Sequence, residues 1–211
     1  MIELRDFWVR YPDGYDAVRG VELAVESGQI LALLGASGSG KSSLLRGIAG
    51  LEKTRGMVAI DGEDISVVPT HKRGVGMVFQ DGQLFPTRSV GANIAYGIER
   101  KMPRHRVRGE VERWLDIMGL AGLADRAITT LSGGQAQRVA LARSMAPGPR
   151  ALLLDEPLSA LDTDLRRELS GFIRDRLTES GTTAIYVTHN EEEAEAVGDK
   201  VLRMADGRLW A

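Results

Sequence analysis

Gly35-Ala36-Ser37-Gly38-Ser39-Gly40-Lys41-Ser42 lies between an apolar run, Ile30-Leu31-Ala32-Leu33-Leu34, and a segment, Lys41 to Ala49, that sets Leu44, Leu45 and Ile48 on one side. The octapeptide fits the pattern G-x-x-x-x-G-K-[S/T], with the strand before it and the helix after it that the pattern requires. Glycine lets the backbone curl until successive N–H groups converge on anionic oxygens, free of interference from a Cβ. The helix that starts near Lys41 adds the positive end of its dipole. Strand, loop and helix together predict a cradle for a triphosphate, in which Lys41 reaches the outer phosphates and the Ser42 hydroxyl binds magnesium. A flexible glycine-rich turn is the bland alternative, and both flanking elements argue against it.

Outward from this unit, strand-like and helical segments alternate, which predicts an α/β fold on a largely parallel sheet. Further strands are expected at Met57 to Ile60, Val75 to Phe79, Ala151 to Leu154, Thr183 to Val187 and Val201 to Met204. Between Pro103 and Ala146 the strand signals vanish. Two helical patterns take their place, the first with Val107, Val111, Trp114, Leu115 and Met118 on one apolar face. A further helix is expected from near Asp162, burying Leu165, Leu169, Phe172, Ile173 and Leu177.

Leu152, Leu153 and Leu154 form a buried run that ends in Asp155 and Glu156. A strand of this kind delivers its carboxylates to the edge of the sheet, where doubly wound folds bind ligands. Asp155 is the natural partner of magnesium, and Glu156 can orient and deprotonate a water molecule. A solvated strand end or a helix cap is the alternative. Leu131-Ser132-Gly133-Gly134-Gln135 predicts the opening of a helix, with Ser132 placed to cap it and two glycines that permit close backbone approach. It is either a capped helix start or a second anion-binding terminus, and one nucleotide has no evident need of both elements in one molecule.

Composition bounds the remaining choices. The 211 residues suit one domain, and Lys+Arg 27 against Asp+Glu 29 is not the balance of a strongly basic nucleic-acid binder. With no cysteine, disulfides, thiolate metal sites and cysteine nucleophiles are excluded. Glu3, Arg5, Asp6 and Arg10 rule out a secretory signal at the start, and no apolar stretch approaches the roughly 20 residues of a membrane span. The basic run Lys101, Arg104, His105, Arg106 and Arg108 reads as a solvated helix face, so no nucleic-acid partner is expected.

At this point the chain resembles the ATP-binding domains of ABC transporters. The resemblance is carried by the phosphate loop at Gly35 to Ser42, Gln80 after Gly76 to Phe79, the signature Leu131 to Gln135, Asp155 and Glu156, Ser159-Ala160-Leu161-Asp162, and His189, all in the family's order. It implies a P-loop NTPase core with a largely parallel sheet, an N-terminal antiparallel β element and a helical subdomain. Residues 1–80 and 150–211 would form the catalytic core, about 81–149 the helical subdomain, and no C-terminal regulatory domain would follow.

The same resemblance implies ATP and magnesium as cofactors and a dimer in which each nucleotide is clamped between one phosphate loop and the other subunit's signature. Nucleotide would be held by Tyr11, Gly35, Ala36, Ser37, Gly38, Ser39, Gly40, Lys41, Ser42 and Ser43, with Ser132, Gly133, Gly134 and Gln135 contributed by the partner subunit. Tyr11 would stack on adenine, with Tyr15 as second choice. Gln80 would reach magnesium and the attacking water, joining Ser42 and Asp155 at the metal. His189 would contact the outer phosphate, so that Glu156, His189, Gln80 and Lys41 form the catalytic set. Asp162 would organise the paired interface, or cap the next helix.

Gln80 to Tyr96, with Leu84, Phe85 and Pro86, resembles the family's region for receiving permease helices; packing of Leu84 and Phe85 in a core is the alternative. Within the family, Gly76-Met77-Val78-Phe79-Gln80 followed by Leu84-Phe85-Pro86 and Asn93-Ile94-Ala95 is most similar to the importers of polyamines, ferric iron, thiamine and oxyanions. Ala36, where proline is frequent, and Ala136, where a longer polar residue is usual, depart from the pattern without removing a catalytic group. The implied partners are a second copy, transmembrane permease subunits and a separate substrate-binding protein, with the chain on the cytoplasmic face of the membrane. The alternative is a soluble ATPase of the same type acting on nucleic acid or an assembly complex.

Overall fold

The computed structural model describes residues 1–159 and 161–210. From the N-terminus, β1 (Ile2–Arg10) and β2 (Asp16–Val25) lead to β3 (Ile30–Leu34), the glycine-rich loop and α1 (Lys41–Ala49), then β4 (Thr54–Ile60), β5 (Glu63–Asp64) and β6 (Val75–Val78). Helices α2 (Val90–Ile98), α3 (Arg104–Ile117) and α4 (Gly133–Met145) follow in succession. The chain then alternates through β7 (Ala151–Asp155), α5 (Thr163–Ser180), β8 (Thr183–Thr188), α6 (Glu191–Val197), β9 (Lys200–Ala205) and β10 (Arg208–Trp210).

These strands make two sheets. One is antiparallel, in the order β2-β1-β4-β5; the other runs β10-β9-β3-β8-β7-β6, parallel throughout except for β10 at its edge. Every residue of β3, β7 and β8 is buried, the signature of strands covered on both faces, which is why these segments read as unbroken apolar runs. Because β3, β7 and β8 are parallel neighbours, their C-terminal ends emerge together. That shared edge is where an open α/β sheet binds ligands.

The layers follow from which face each helix buries. Leu44, Leu45 and Ile48 of α1 pack between the sheets, against Phe7 and Val9 of β1 and Leu31 and Leu33 of β3. The opposite face of the parallel sheet, with Leu152, Leu154 and Tyr186, is covered by a second cluster from α2 to α5. In α3, Val111, Trp114 and Leu115 are buried with Met118 just beyond, while Val107 is half-buried; in α5, Leu169, Ile173 and Leu177 are buried, with Leu165 and Phe172 half-buried against them. Each fully buried residue of this size stabilises the fold by about 1.5–3 kcal/mol at most.

The expected strands all occur, within a residue or two at most ends, but Met57 to Ile60 falls inside β4, which pairs antiparallel with β1 and stands outside the parallel sheet. Six elements, β1, β2, β5, β10, α2 and α6, have no place among the individually expected strands and helices, although the antiparallel N-terminal sheet is the one the resemblance implies.

Candidate nucleotide site

β3 delivers Gly35 from the sheet, and the loop closes onto α1 through Gly40, at φ 105°. A Cβ there would stand 2.3 Å from the Ala17 carbonyl oxygen, so only glycine fits. Gly40 is also the N-cap of α1 and offers no side-chain hydrogen bond, which leaves the first N–H groups of the helix open to an anion. Ser39 Oγ is buried without a partner beside them.

Lys41, the first residue of α1, is 4% exposed. Its Nζ donates to the carbonyls of Gly35 at 2.7 Å and Ala36 at 2.9 Å and lies 3.8 Å from Glu156 Oε1. Burial lowers its pKa, and the nearby Glu156 and Asp155 carboxylates oppose that shift. Ser42 Oγ donates to Asp155 Oδ1 at 2.7 Å. Asp155 is itself buried at the end of β7, and desolvation pushes its pKa up against the opposing hydrogen bond from Ser42.

Glu156, the next residue, stands at φ 44°, a conformation that costs a side-chain-bearing residue roughly 1–3 kcal/mol. Its N–H donates to Val187 O at 3.0 Å, which ties the strained turn to β8. The turn aims the carboxylate between Lys41 and His189, whose Nδ1 is 2.9 Å from Glu156 Oε2. Strand ends 33 residues apart in sequence thus meet over one point.

A cleft of about 360 Å³ opens here, lined by Ser37, Gly38, Gly40, Lys41, Ser42 and Ser43 together with Tyr15, Ala17, Gln80 and Glu156. Gln80 is exposed, and its Nε2 donates to Ser159 Oγ at 3.3 Å. Tyr11 does not line the cleft; it is held at the rim by a 3.0 Å hydrogen bond between its hydroxyl and Ser43 Oγ, whereas Tyr15 lines the cleft and is 51% exposed. The donors fit the groups they are expected to hold. Open helix N–H groups and a buried ammonium suit phosphate, and a hydroxyl joined to a desolvated carboxylate offers the hard oxygens that magnesium prefers.

Ser132 caps α4 in a reciprocal box: its Oγ accepts from Gln135 N at 3.3 Å, and Gln135 Oε1 accepts from Ser132 N at 3.1 Å. Ser132 and Gly133 are exposed, while Gly134 is buried against Leu165, where a Cβ would come within 2.8 Å of a methyl group. No residue of Ser132 to Gln135 lines the cleft. Asp162 caps α5 by accepting from Leu165 N at 3.0 Å, and Ala160 of the adjoining run lies outside the described residues. Arg104, His105, Arg106 and Arg108 lie exposed along α3, Arg108 paired with Glu112 one turn on.

Leu84 and Phe85 are half-buried, Leu84 against the helical cluster and Phe85 against Tyr96 with ring centroids 4.6 Å apart. One residue here had no sequence signal. Arg143 of α4 donates to the carbonyls of Gly82 at 2.8 Å and Gln83 at 2.7 Å and so ties the loop after Gln80 to the signature helix. Its position in a helix gives no hint of partners that far away in sequence.

The ABC transporter family matches residues 18–159. The Fe(3+) ions import ATP-binding protein FbpC of Streptomyces avermitilis is 47% identical over 211 residues, covering 99% of this chain and 61% of that protein. The sulfate/thiosulfate import ATP-binding protein CysA of Synechocystis sp. is 45% identical across 92% of this chain and 56% of its own length. The spermidine/putrescine import ATP-binding protein PotA of Acidothermus cellulolyticus is 46% identical across 92% of this chain and 51% of its own. The chain therefore spans between half and about three fifths of the length of these curated relatives. Among solved structures, the ATP-binding cassette MJ0796, a dimer in a post-hydrolysis state bound to ADP and Pi, superposes with a TM-score of 0.89 at 29% identity, covering 100% of this chain and 97% of that one.

Proposed function

From the premise that this chain belongs to the ABC transporter family, we propose that it binds and hydrolyses ATP as the energy-coupling subunit of a membrane importer, two copies closing around the nucleotide. The observation that carries this reading is the separation of two anion-suited helix termini. Lys41, Ser42 and Glu156 line one cleft, with Asp155 bonded to Ser42 and His189 2.9 Å from Glu156, whereas no residue of Ser132 to Gln135 lines it or bonds to a residue of this set. A second copy in head-to-tail arrangement brings its signature to the first copy's cleft, and symmetry repeats the contact.

In that site the open N–H groups of α1 and Lys41 hold the phosphates, Lys41 exchanging its carbonyl partners for phosphate oxygens. Ser42, Asp155 and Gln80 would hold magnesium, which when bound neutralises phosphate charge. Glu156 orients water and takes its proton; its strained turn fixes the carboxylate before substrate arrives. His189 donates to the outer phosphate, and Tyr11, fixed through Ser43, offers its ring to adenine. Ser132, Gly133, Gly134 and Gln135 of the second copy close the site, with Asp162 at the interface. Closure is favoured because nucleotide binds the closed pair better than the open one, and hydrolysis removes that bias.

Residues 1–80 and 150–211 are the catalytic core in this account, and about 81–149 the helical subdomain. The Gln80 to Tyr96 segment meets permease subunits, with the chain peripheral on the inner membrane face and a separate substrate-binding protein upstream. Import is supported by the names of FbpC, CysA and PotA as import ATP-binding proteins, and among the described residues no helix is long and apolar enough to cross a membrane. The test is affinity isolation of the chain from detergent-solubilised membranes of its own cells. A co-purifying polytopic protein supports the proposal; soluble protein or nucleic acid alone contradicts it.

A further inference from the structure

Buried polar side chains gather at the end of β8. Tyr186 and Thr188, two apart and so on the same face of the strand, are 0% and 1% exposed, and Glu193 in the first turn of α6 is 6% exposed. The Glu193 carboxylate accepts from the Tyr186 hydroxyl at 2.6 Å and from the Thr188 hydroxyl through its other oxygen. Thr188 Oγ1 in turn accepts from Asn190 N, and Asn190 Oδ1 from Glu193 N, each at 3.0 Å. His189 is the residue between the two anchored positions. Its backbone is gripped on both sides while its imidazole stays 52% exposed, 2.9 Å from Glu156.

A carboxylate this deep costs free energy unless it is fully hydrogen-bonded, and an apolar residue would fill the space without that cost. Burial also raises the Tyr186 pKa well above its ordinary value, so its hydroxyl remains a donor. The other charges around Glu193 are Arg166 and Arg167 of α5 and Glu192, which line a cavity with it; Arg166 also donates to Leu161 O at 2.7 Å, beside the Asp162 cap. What the network achieves is geometric. It fixes the direction in which the strand end and the following turn present residue 189.

We propose that Glu193 is the positioning residue for His189, its buried carboxylate locking the β8 end through Tyr186 and Thr188 so that the imidazole meets Glu156 and the outer phosphate. This rests on the role of His189 given above.

Steady-state ATP hydrolysis by Glu193→Gln and Tyr186→Phe, each alone and with His189→Ala, tests it. Both near-isosteric changes are expected to lower kcat roughly tenfold, as small misplacements of a reacting group do, and to leave KM for ATP within about twofold. Neither should lower kcat further once His189 is alanine, because the group being positioned is gone. Equal fold-losses in both backgrounds would show general structural damage and overturn the proposal, as would wild-type turnover by the single variants. If Glu193→Gln does not fold, Tyr186→Phe, which deletes one hydroxyl, carries the comparison. Wild-type turnover by His189→Ala itself would overturn the role of His189 and the proposal with it, whereas an inactive His189→Ala beside a fully active Glu193→Gln overturns the proposal alone.

Discussion

Ser42 Oγ and Asp155 Oδ1, 113 residues apart in sequence, meet at 2.7 Å where the first turn of α1 faces the end of β7. The hydroxyl stabilises a carboxylate that burial destabilises, and it does so at the point where a divalent cation would take both oxygens. The fold therefore carries a charge it would be more stable without.

Asp155→Asn should be more stable than the parent at neutral pH in the absence of nucleotide, since the amide oxygen still accepts from Ser42 and the desolvated charge is gone. The sign follows from the raised pKa of Asp155 in the folded state. Protonation of Asp155 favours folding; that stability is fully present below the unfolded-chain pKa near 3.8 and is lost as pH rises through the higher folded value. The advantage of the variant should accordingly shrink on acidification through this window, as measured by denaturant unfolding at several pH values. Its magnesium-dependent ATP hydrolysis should fall at least about 100-fold.

Glu156→Gln keeps the shape of the strained turn and removes the base. Nucleotide affinity should stay within a few-fold of the parent by fluorescence titration, with turnover lower by about 10²–10⁴. Lys41→Ala should show the opposite pattern, a binding loss of about 10- to 100-fold from a missing charge-assisted contact of ~1.5–3 kcal/mol. Near-parent hydrolysis by Glu156→Gln would remove Glu156 from the role of base.

Ser132 has two jobs in this account, and two substitutions separate them. Ser132→Ala loses the cap of α4 and should cost about 1 kcal/mol of stability. Ser132→Asn keeps a capping side chain but not the hydroxyl, so its melting temperature should match the parent while its hydrolysis rate falls. If Ser132→Asn hydrolyses ATP at the parent rate, the hydroxyl has no part in the reaction.

The readable parts of this protein were those whose chemistry is local in sequence. The octapeptide Gly35 to Ser42, the acids Asp155 and Glu156, and the capped start at Ser132 each declare themselves within a few residues, because strand, loop and helix follow directly in the chain. β1 and β2 were harder to see. Charged Glu3, Arg5 and Asp6 interrupt β1, and its register against β2 shifts around Phe7, with Asp6 at φ 43°, so no clean alternation survives. α2 carries glycines at 91 and 97 and apolar residues on most sides, which blurs its period.

The tertiary contacts of Glu193 and Arg143 left no trace in the sequence. Glu193 is one acid in the run Glu191-Glu192-Glu193, and only the structure distinguishes it, by burying it under Tyr186 and Thr188. Arg143 is likewise one basic residue on a helix until its contacts with Gly82 and Gln83 are seen. The convergence of His189 on Glu156 came from motif order, and it acquires a physical basis only in the parallel pairing of β7 with β8.

The chain has no cysteine, so an engineered pair reports on its own. The most direct measurement is disulfide trapping in Glu156→Gln protein that carries Ser132→Cys and Ser37→Cys, oxidised with and without magnesium ATP. A covalent dimer, joined between position 132 of one copy and position 37 of the other, should form only when nucleotide is bound. A protein that saturates with ATP yet remains monomeric under oxidation would contradict the shared site.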